Sequence, residues 1–186
     1  MTLIDNVMLA MPAVDRGFFT LYDEEQQLLI PVASAGLKPS IYMFKTAIGE
    51  GIAGKVFATR RANAYTNTEA FLAMQDLTPE NEHHLMVAVN SSRKELSKQI
   101  SMAAPVAIGD KCYGVLVLHQ YTSEVHHNEM KLLQGFADQA AVAIHNAELY
   151  EEMQKVNEDL IKQQHIHTLF TNLALENGSV GQIVKV

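Results

Sequence analysis

SMAAPVAIGDKCYGVLVLHQ, residues 101–120, carries the plainest strand pattern in the chain. Two apolar runs, Ser101–Ile108 and Cys112–Tyr121, flank Gly109-Asp110-Lys111, a compact polar turn of the kind that joins antiparallel strands. Within the second run, YGVLVLHQ is apolar at successive positions rather than at every other one. A strand of that composition lies centrally in a sheet covered on both sides.

Upstream, Gly17–Tyr22 and Leu28–Ala33 are joined by DEEQQ and predict a second hairpin. Before it, Leu3, Ile4, Val7, Met8 and Met11 fall on one helical face, and Pro12 stops the pattern. Ile41–Lys45 predicts a third, short strand. In GEGIAGKVFATRRANAYT (49–66) three glycines precede a short apolar helix, Ile52–Ala58, and a small strand, Ala62–Thr66. This G-E-G-I-A-G run lacks the Gly-Lys-Ser/Thr ending of a phosphate loop, so the glycines are read as turn and packing residues. Thr68–Asp76 predicts a short helix capped by Thr68, and Thr78-Pro79-Glu80 opens another that reaches Val89. NSSRKELSKQ (90–99) is polar and reads as a solvated loop.

The last third is helical in pattern. Leu133, Phe136, Ala137, Ala140, Ile144 and Ala147 mark a face suited to packing on the sheet. Beyond them Leu149, Met153, Val156 and Leu160 alternate by four and three, a heptad seam expected to mediate dimerisation, with Glu151–Lys155 and Glu158–Lys162 as flanking ion pairs. A helix from about Val125 to Glu176 would reach about 78 Å at 1.5 Å per residue, longer than a compact domain needs. Asn177-Gly178 is expected to end it, and Val180, Ile183, Val184 and Val186 to begin a further amphipathic element of a longer protein.

Composition narrows the function. Of 186 residues 48% are hydrophobic and 19% charged, which provides a core and excludes general disorder. The net charge is -7 and basic residues gather only in pairs such as Arg60-Arg61 and Arg93-Lys94, so direct nucleic-acid contact by these residues is not expected. A single cysteine, Cys112, excludes an intrachain disulfide and a multi-cysteine zinc site and fits a cytoplasmic location. No run of 18 apolar residues suggests a membrane span.

GEGIAGKVFATRRANAYTN, the APV…GVL hairpin at 104–118 and NEMKLLQGFADQAAVAIHNAELYEEM (128–153) together resemble the GAF family of sensory domains over most of residues 1–150. The resemblance implies an α+β fold: a central antiparallel sheet of five or six strands flanked by helices, with a long C-terminal helix and dimerisation through the first and last helices. The expected organisation is a sensory domain at 1–150, a signalling helix at 151–176 and the start of a further region at 177–186. HTLFTNLALENGSVGQIVKV (167–186) resembles the segment leading into the effector half of bacterial transcription regulators of the purine-catabolism and sugar-diacid type.

GAF relatives include cyclic-nucleotide binders, bilin carriers, haem sensors and a free methionine sulfoxide reductase, so the residues must choose among them. The reductase needs several cysteines, because a sulfenic acid needs a resolving thiol. Pigment carriers attach at a cysteine commonly followed by histidine, whereas Tyr113 follows Cys112. In HQYTSEVHHNEM, Val125 and Asn128-Glu129 stand where cyclic-nucleotide relatives carry an aromatic and an acidic pair. The histidine pairs His83-His84, His126-His127 and His165/His167 lack the i, i+3 or i, i+4 spacing of a helical metal site, and no metal or cofactor is expected. His119, at the end of the central strand, either faces an internal cavity or is a satisfied core histidine.

By position, the resemblance implicates Tyr42, Phe44, Tyr65, Phe71, Met74, Leu85, Met86 and His119 in binding a small, weakly charged or apolar ligand. The expected function is a non-catalytic, homodimeric sensor that relays ligand state through its C-terminal helix to an effector, expected to bind DNA. The alternative is an empty dimerisation scaffold.

Overall fold

The computed structural model describes residues 3–91, 98–121 and 127–183. In chain order the elements are α1 (Leu3–Ala10), β1 (Arg16–Asp23), β2 (Leu28–Ala35), a 3-10 turn (Pro39–Met43), β3 (Thr46–Ala47), α2 (Gly51–Thr59), β4 (Asn63–Tyr65), α3 (Asn67–Gln75), α4 (Pro79–Val89), β5 (Ile100–Ile108), β6 (Lys111–Gln120) and α5 (His127–Ile183). The strands form one six-stranded sheet in the order β3-β2-β1-β6-β5-β4, with every pairing antiparallel. The fold is thus mixed α+β, as the sequence predicts.

β6 lies between β1 and β5, and its alternating side chains feed two separate cores. Tyr113, Leu116 and Leu118 join Met102, Ala104 and Val106 of β5, Ile4 and Val7 of α1, and Leu133, Ala137, Ala140 and Ala141 of α5. Val115 and Val117 face the other way and join Phe18, Ala103, Val56 of α2, Met74 of α3 and Leu85 of α4. The doubly apolar pattern of YGVLVLHQ is therefore the signature of burial on both faces. Gly114 is where β1 comes closest, since a Cβ there would lie 1.9 Å from the Thr20 carbonyl oxygen. Beside it the Thr20 hydroxyl donates to the Val115 carbonyl and accepts from the Val115 N–H, both at 3.2 Å.

Several local expectations are corrected. Ile41–Lys45 is not a strand: Pro39 opens a 3-10 turn there, and the third strand is the two-residue β3, paired with Leu28 and Leu29. Proline at the start of the turn fixes φ at a helical value and leaves no N–H for a sheet ladder. α3 is capped by Thr66 rather than Thr68, because Glu69, three residues after Thr66, accepts hydrogen bonds from the Thr66 N–H and hydroxyl at 2.8 Å. Gln99, expected in a solvated loop, is 2% exposed, and the rest of that loop at 92–97 lies outside the described residues.

The chain divides into two compact units, Met1–Ile144 and His145–Val186. In the second, Leu149, Met153, Val156 and Leu160 are 49–61% exposed. The helix does not end at Asn177-Gly178 but continues to Ile183, taking in Val180. Glycine inside a helix costs only about 1 kcal/mol and terminates it only by turning left-handed, which Gly178 does not do. Val184 and Val186 lie outside the described residues, as does Val125, near which the helix was expected to start. Lys162 stands 3.5 Å from Asp159, not paired with Glu158.

Candidate ligand cavity

Between the sheet and helices α2–α4 lies a cavity of about 50 Å³. That is space for about three or four water molecules, or for part of a small organic ligand. Phe44 enters it from just after the 3-10 turn, and its ring meets Phe18 edge-to-face at 5.9 Å. Met74, Leu77 and Leu85 close the helical side, and Val117 forms the floor on the sheet.

The polar atoms gather on the two central strands and their ends. Ser101 and His119 are directly opposed across β5 and β6, and the Ser101 hydroxyl lies 2.8 Å from His119 Nδ1. Gln99 precedes Ser101 by two residues, which continues the inward face of β5 by one step. Gln99 Nε2 and His119 Nε2 are both sealed from solvent without a hydrogen-bond partner among the described residues. Burial, reinforced by the nearby Arg16 charge, pushes the His119 pKa down to about 4, so the ring is neutral near pH 7.

Of the eight residues expected at a ligand site, Phe44, Met74, Leu85 and His119 line the cavity. The other four do not. Tyr42 is 42% exposed, and its hydroxyl accepts a 3.3 Å hydrogen bond from Ser34 on the surface. Tyr65 and Met86 pack against the same core from outside the cavity, and Phe71 is half-buried on α3 away from the lining. Gln99 and Ser101 were not anticipated. The signal for them is period-two spacing, since Gln99, Ser101 and Ala103 extend one inward face of the strand.

The glycine-rich turn serves packing. A Cβ on Gly54 would stand 2.3 Å from the Ala47 carbonyl oxygen, so only glycine lets α2 come this close to β3. Glu50 lies within the turn and accepts hydrogen bonds from the Ala47 and Thr78 N–H groups at 2.9 Å and from the Asn81 amide at 2.8 Å. Burial tends to raise its pKa, but these donors from Asn81, Thr78 and Ala47 prevail and hold it below the ordinary value. A carboxylate already seated on these amides repels a phosphate.

Cys112 is half-buried at the start of β6, with its thiol directed to the Gly114 carbonyl at 3.5 Å. Burial raises its pKa against the opposing influence of Gly114 and Arg60, the reverse of what a reactive thiolate needs. The His83 and His84 rings approach edge-to-face at 5.8 Å. Among the described residues no group of three histidine, cysteine or acidic side chains could hold a metal ion, and no helix is long and apolar enough to cross a membrane.

The sequence pattern of the GAF domain matches residues 4–144. The chain belongs to the GAF domain family. GAF domains are sensory, regulatory ligand-binding modules of signalling proteins. The GAF domain of an Acinetobacter phosphoenolpyruvate-protein phosphotransferase is similar, at 20% identity and a TM-score of 0.60, covering 79% of this chain and 80% of that one. The GAF-B domain of DevS from Mycobacterium smegmatis is 18% identical with a TM-score of 0.57, over 81% and 93% of the two chains. A type II free methionine-R-sulfoxide reductase from Thermoplasma acidophilum aligns at 14% identity and a TM-score of 0.55, over 77% and 87%. No curated protein matches the chain. At these identities the solved structures speak for the fold of this GAF domain alone.

Proposed function

We propose that this GAF domain is a non-catalytic small-molecule sensor that dimerises and relays ligand occupancy through α5 to an effector. One observation carries the reading: an apolar cavity on the sheet is lined by Gln99 and His119, whose buried Nε2 atoms have no hydrogen-bond partner among the described residues. A buried unpaired polar group costs about 1–3 kcal/mol, and a ligand that pairs with it recovers that cost. The single half-buried Cys112, with its raised pKa, supports a binding role over the cysteine chemistry of a reductase.

The relay rests on two features. Leu149, Met153, Val156 and Leu160 form an exposed apolar stripe at coiled-coil spacing. Separately, Leu3, Phe19, Ala140, Ala143 and Ile144 line an open apolar groove beside α1, which suits dimerisation through the first and last helices. A ligand shifts such a dimer between two helix arrangements only by its difference in affinity for them. The resemblance of residues 167–186 to transcription regulators favours a DNA-binding effector, and the acidic net charge of -7 argues against direct DNA contact by these residues. The lone cysteine favours the cytoplasm.

Native mass spectrometry of the purified chain tests this function. A dimer carrying a defined extra mass is the expected result, and a bare dimer unaffected by metabolites would favour an empty scaffold. Val156→Pro, which removes a backbone hydrogen bond in the middle of the stripe, should give a monomer with its sensory domain still folded. A proline variant that sediments as a full dimer would overturn the seam.

A further inference from the structure

Among the described residues the cavity is lined by no lysine, arginine, aspartate or glutamate. An ion entering it would be stripped of water with no countercharge among these described residues, which disfavours a charged ligand. The polar atoms that do line it are specific in kind. Gln99 lines it, and its NH2 group is a buried donor without an acceptor among the described residues. Ser101 Oγ has His119 Nδ1 as its partner, and both atoms are satisfied when the hydroxyl donates to the ring nitrogen. The ring proton then resides on Nε2, which becomes a second unpaired donor. Gln99 and His119 are diagonal neighbours on one sheet face, a separation of about 7–8 Å between backbones that long side chains can bridge.

We propose that the cavity takes a small, uncharged carbonyl compound, a ketone, amide or lactone, whose oxygen accepts hydrogen bonds from Gln99 Nε2 and His119 Nε2 while its hydrocarbon part packs against Phe44, Met74 and Leu85. The inference rests on the reading of the cavity as a ligand site and adds the chemistry of the ligand. The neutral ring at physiological pH agrees with it, because a charged imidazolium would favour an anion instead.

Three probes of similar size separate the possibilities: cyclopentanone, its hydrocarbon isostere methylenecyclopentane, and cyclopentanecarboxylate. Binding to the full chain is followed by backbone amide NMR shifts and by the imidazole nitrogen spectrum. Cyclopentanone should bind at least tenfold more tightly than methylenecyclopentane and move the His119 Nε2–H resonance. Gln99→Leu should erase most of that preference, bringing the affinity for cyclopentanone down toward that for the hydrocarbon. Equal affinity for ketone and hydrocarbon would overturn the acceptor assignment and leave the cavity as an apolar ligand site. Tighter binding of the carboxylate would overturn the uncharged class. Binding of none of the three would overturn the cavity reading together with this inference. Independently of any variant, a His119 ring protonated at Nδ1 in the wild-type chain would overturn the paired-donor geometry.

Discussion

On the face of the sheet that meets α1 and the first turns of α5, Leu116 and Leu118 of β6 interlock with Leu133 and the small residues Ala137, Ala140 and Ala141. On the opposite face the same strand offers Val115, Val117 and His119 to α2–α4, and a cavity remains among them. The faces share strands, register and backbone hydrogen bonds, so the sheet itself does not cause the difference. It comes from what covers each face. A long helix with alanines at close-packing positions seals one side, whereas three short helices with connecting residues such as Leu77 roof the other. The cavity and the buried Nε2 atoms of Gln99 and His119 occur on the same side, the combination expected of a binding face rather than of a packing face.

Truncating one leucine on each face gives the largest test. Leu116→Ala opens a hole in a filled core and should cost about 4 kcal/mol, whereas Leu85→Ala, whose side chain already borders empty space and loses fewer contacts, should cost about 2 kcal/mol. Urea unfolding measures both, and equal losses would erase the contrast between the faces. A second test uses pH. With a folded pKa near 4 against an ordinary 6.5, the unfolded chain takes up the His119 proton first as pH falls. Stability is therefore full above about pH 6.5 and is lost progressively toward pH 4, by about 3 kcal/mol at most. Arg16, opposite His119 on β1, is the charged neighbour that deepens the effect. His119→Gln should flatten this window relative to wild type, and an unchanged slope would show that the cavity face is not its source.

The sequence was most legible where burial is symmetrical. A strand apolar at successive positions has few alternatives, so β6 and its hairpin were plain, as were α1 and the first hairpin with their clear periods. Short apolar runs were ambiguous. Ile41, Tyr42 and Phe44 read as a strand, yet only Ile41 and Phe44 are buried, three apart, which is the spacing of a helical turn. The site was half legible because residue type names candidates but helix phase selects them. α3 turns Ala70, Ala73 and Met74 inward and leaves Phe71 at the side, while α4 buries Leu85, Ala88 and Val89 and leaves Met86 between them. Gln99 was hidden by its neighbours, since a glutamine after a polar run reads as solvent-facing until strand alternation is carried one step past Ser101. Thr66 could have been found as the α3 cap, because the Thr-x-x-Glu pattern begins there and not at Thr68.

The smallest effect gives the sharpest contrast, because one substitution should change sign between the faces. Ala73 on α3 and Ala141 on α5 are both buried helical alanines pointing at the sheet, and only Ala73 lines the cavity. Ala141→Val forces two extra carbons into a filled layer and should destabilise by about 1–3 kcal/mol. Ala73→Val places the same carbons in empty space, where the buried methyl groups offset the lower helix propensity of valine and leave a gain of up to about 1 kcal/mol. The filled cavity should at the same time exclude cyclopentanone, so stability and binding would move in opposite directions at Ala73. Destabilisation of equal size at both positions would mean that the α2–α4 face is packed as tightly as its counterpart, and the space assigned to a ligand would then belong to the protein's own side chains.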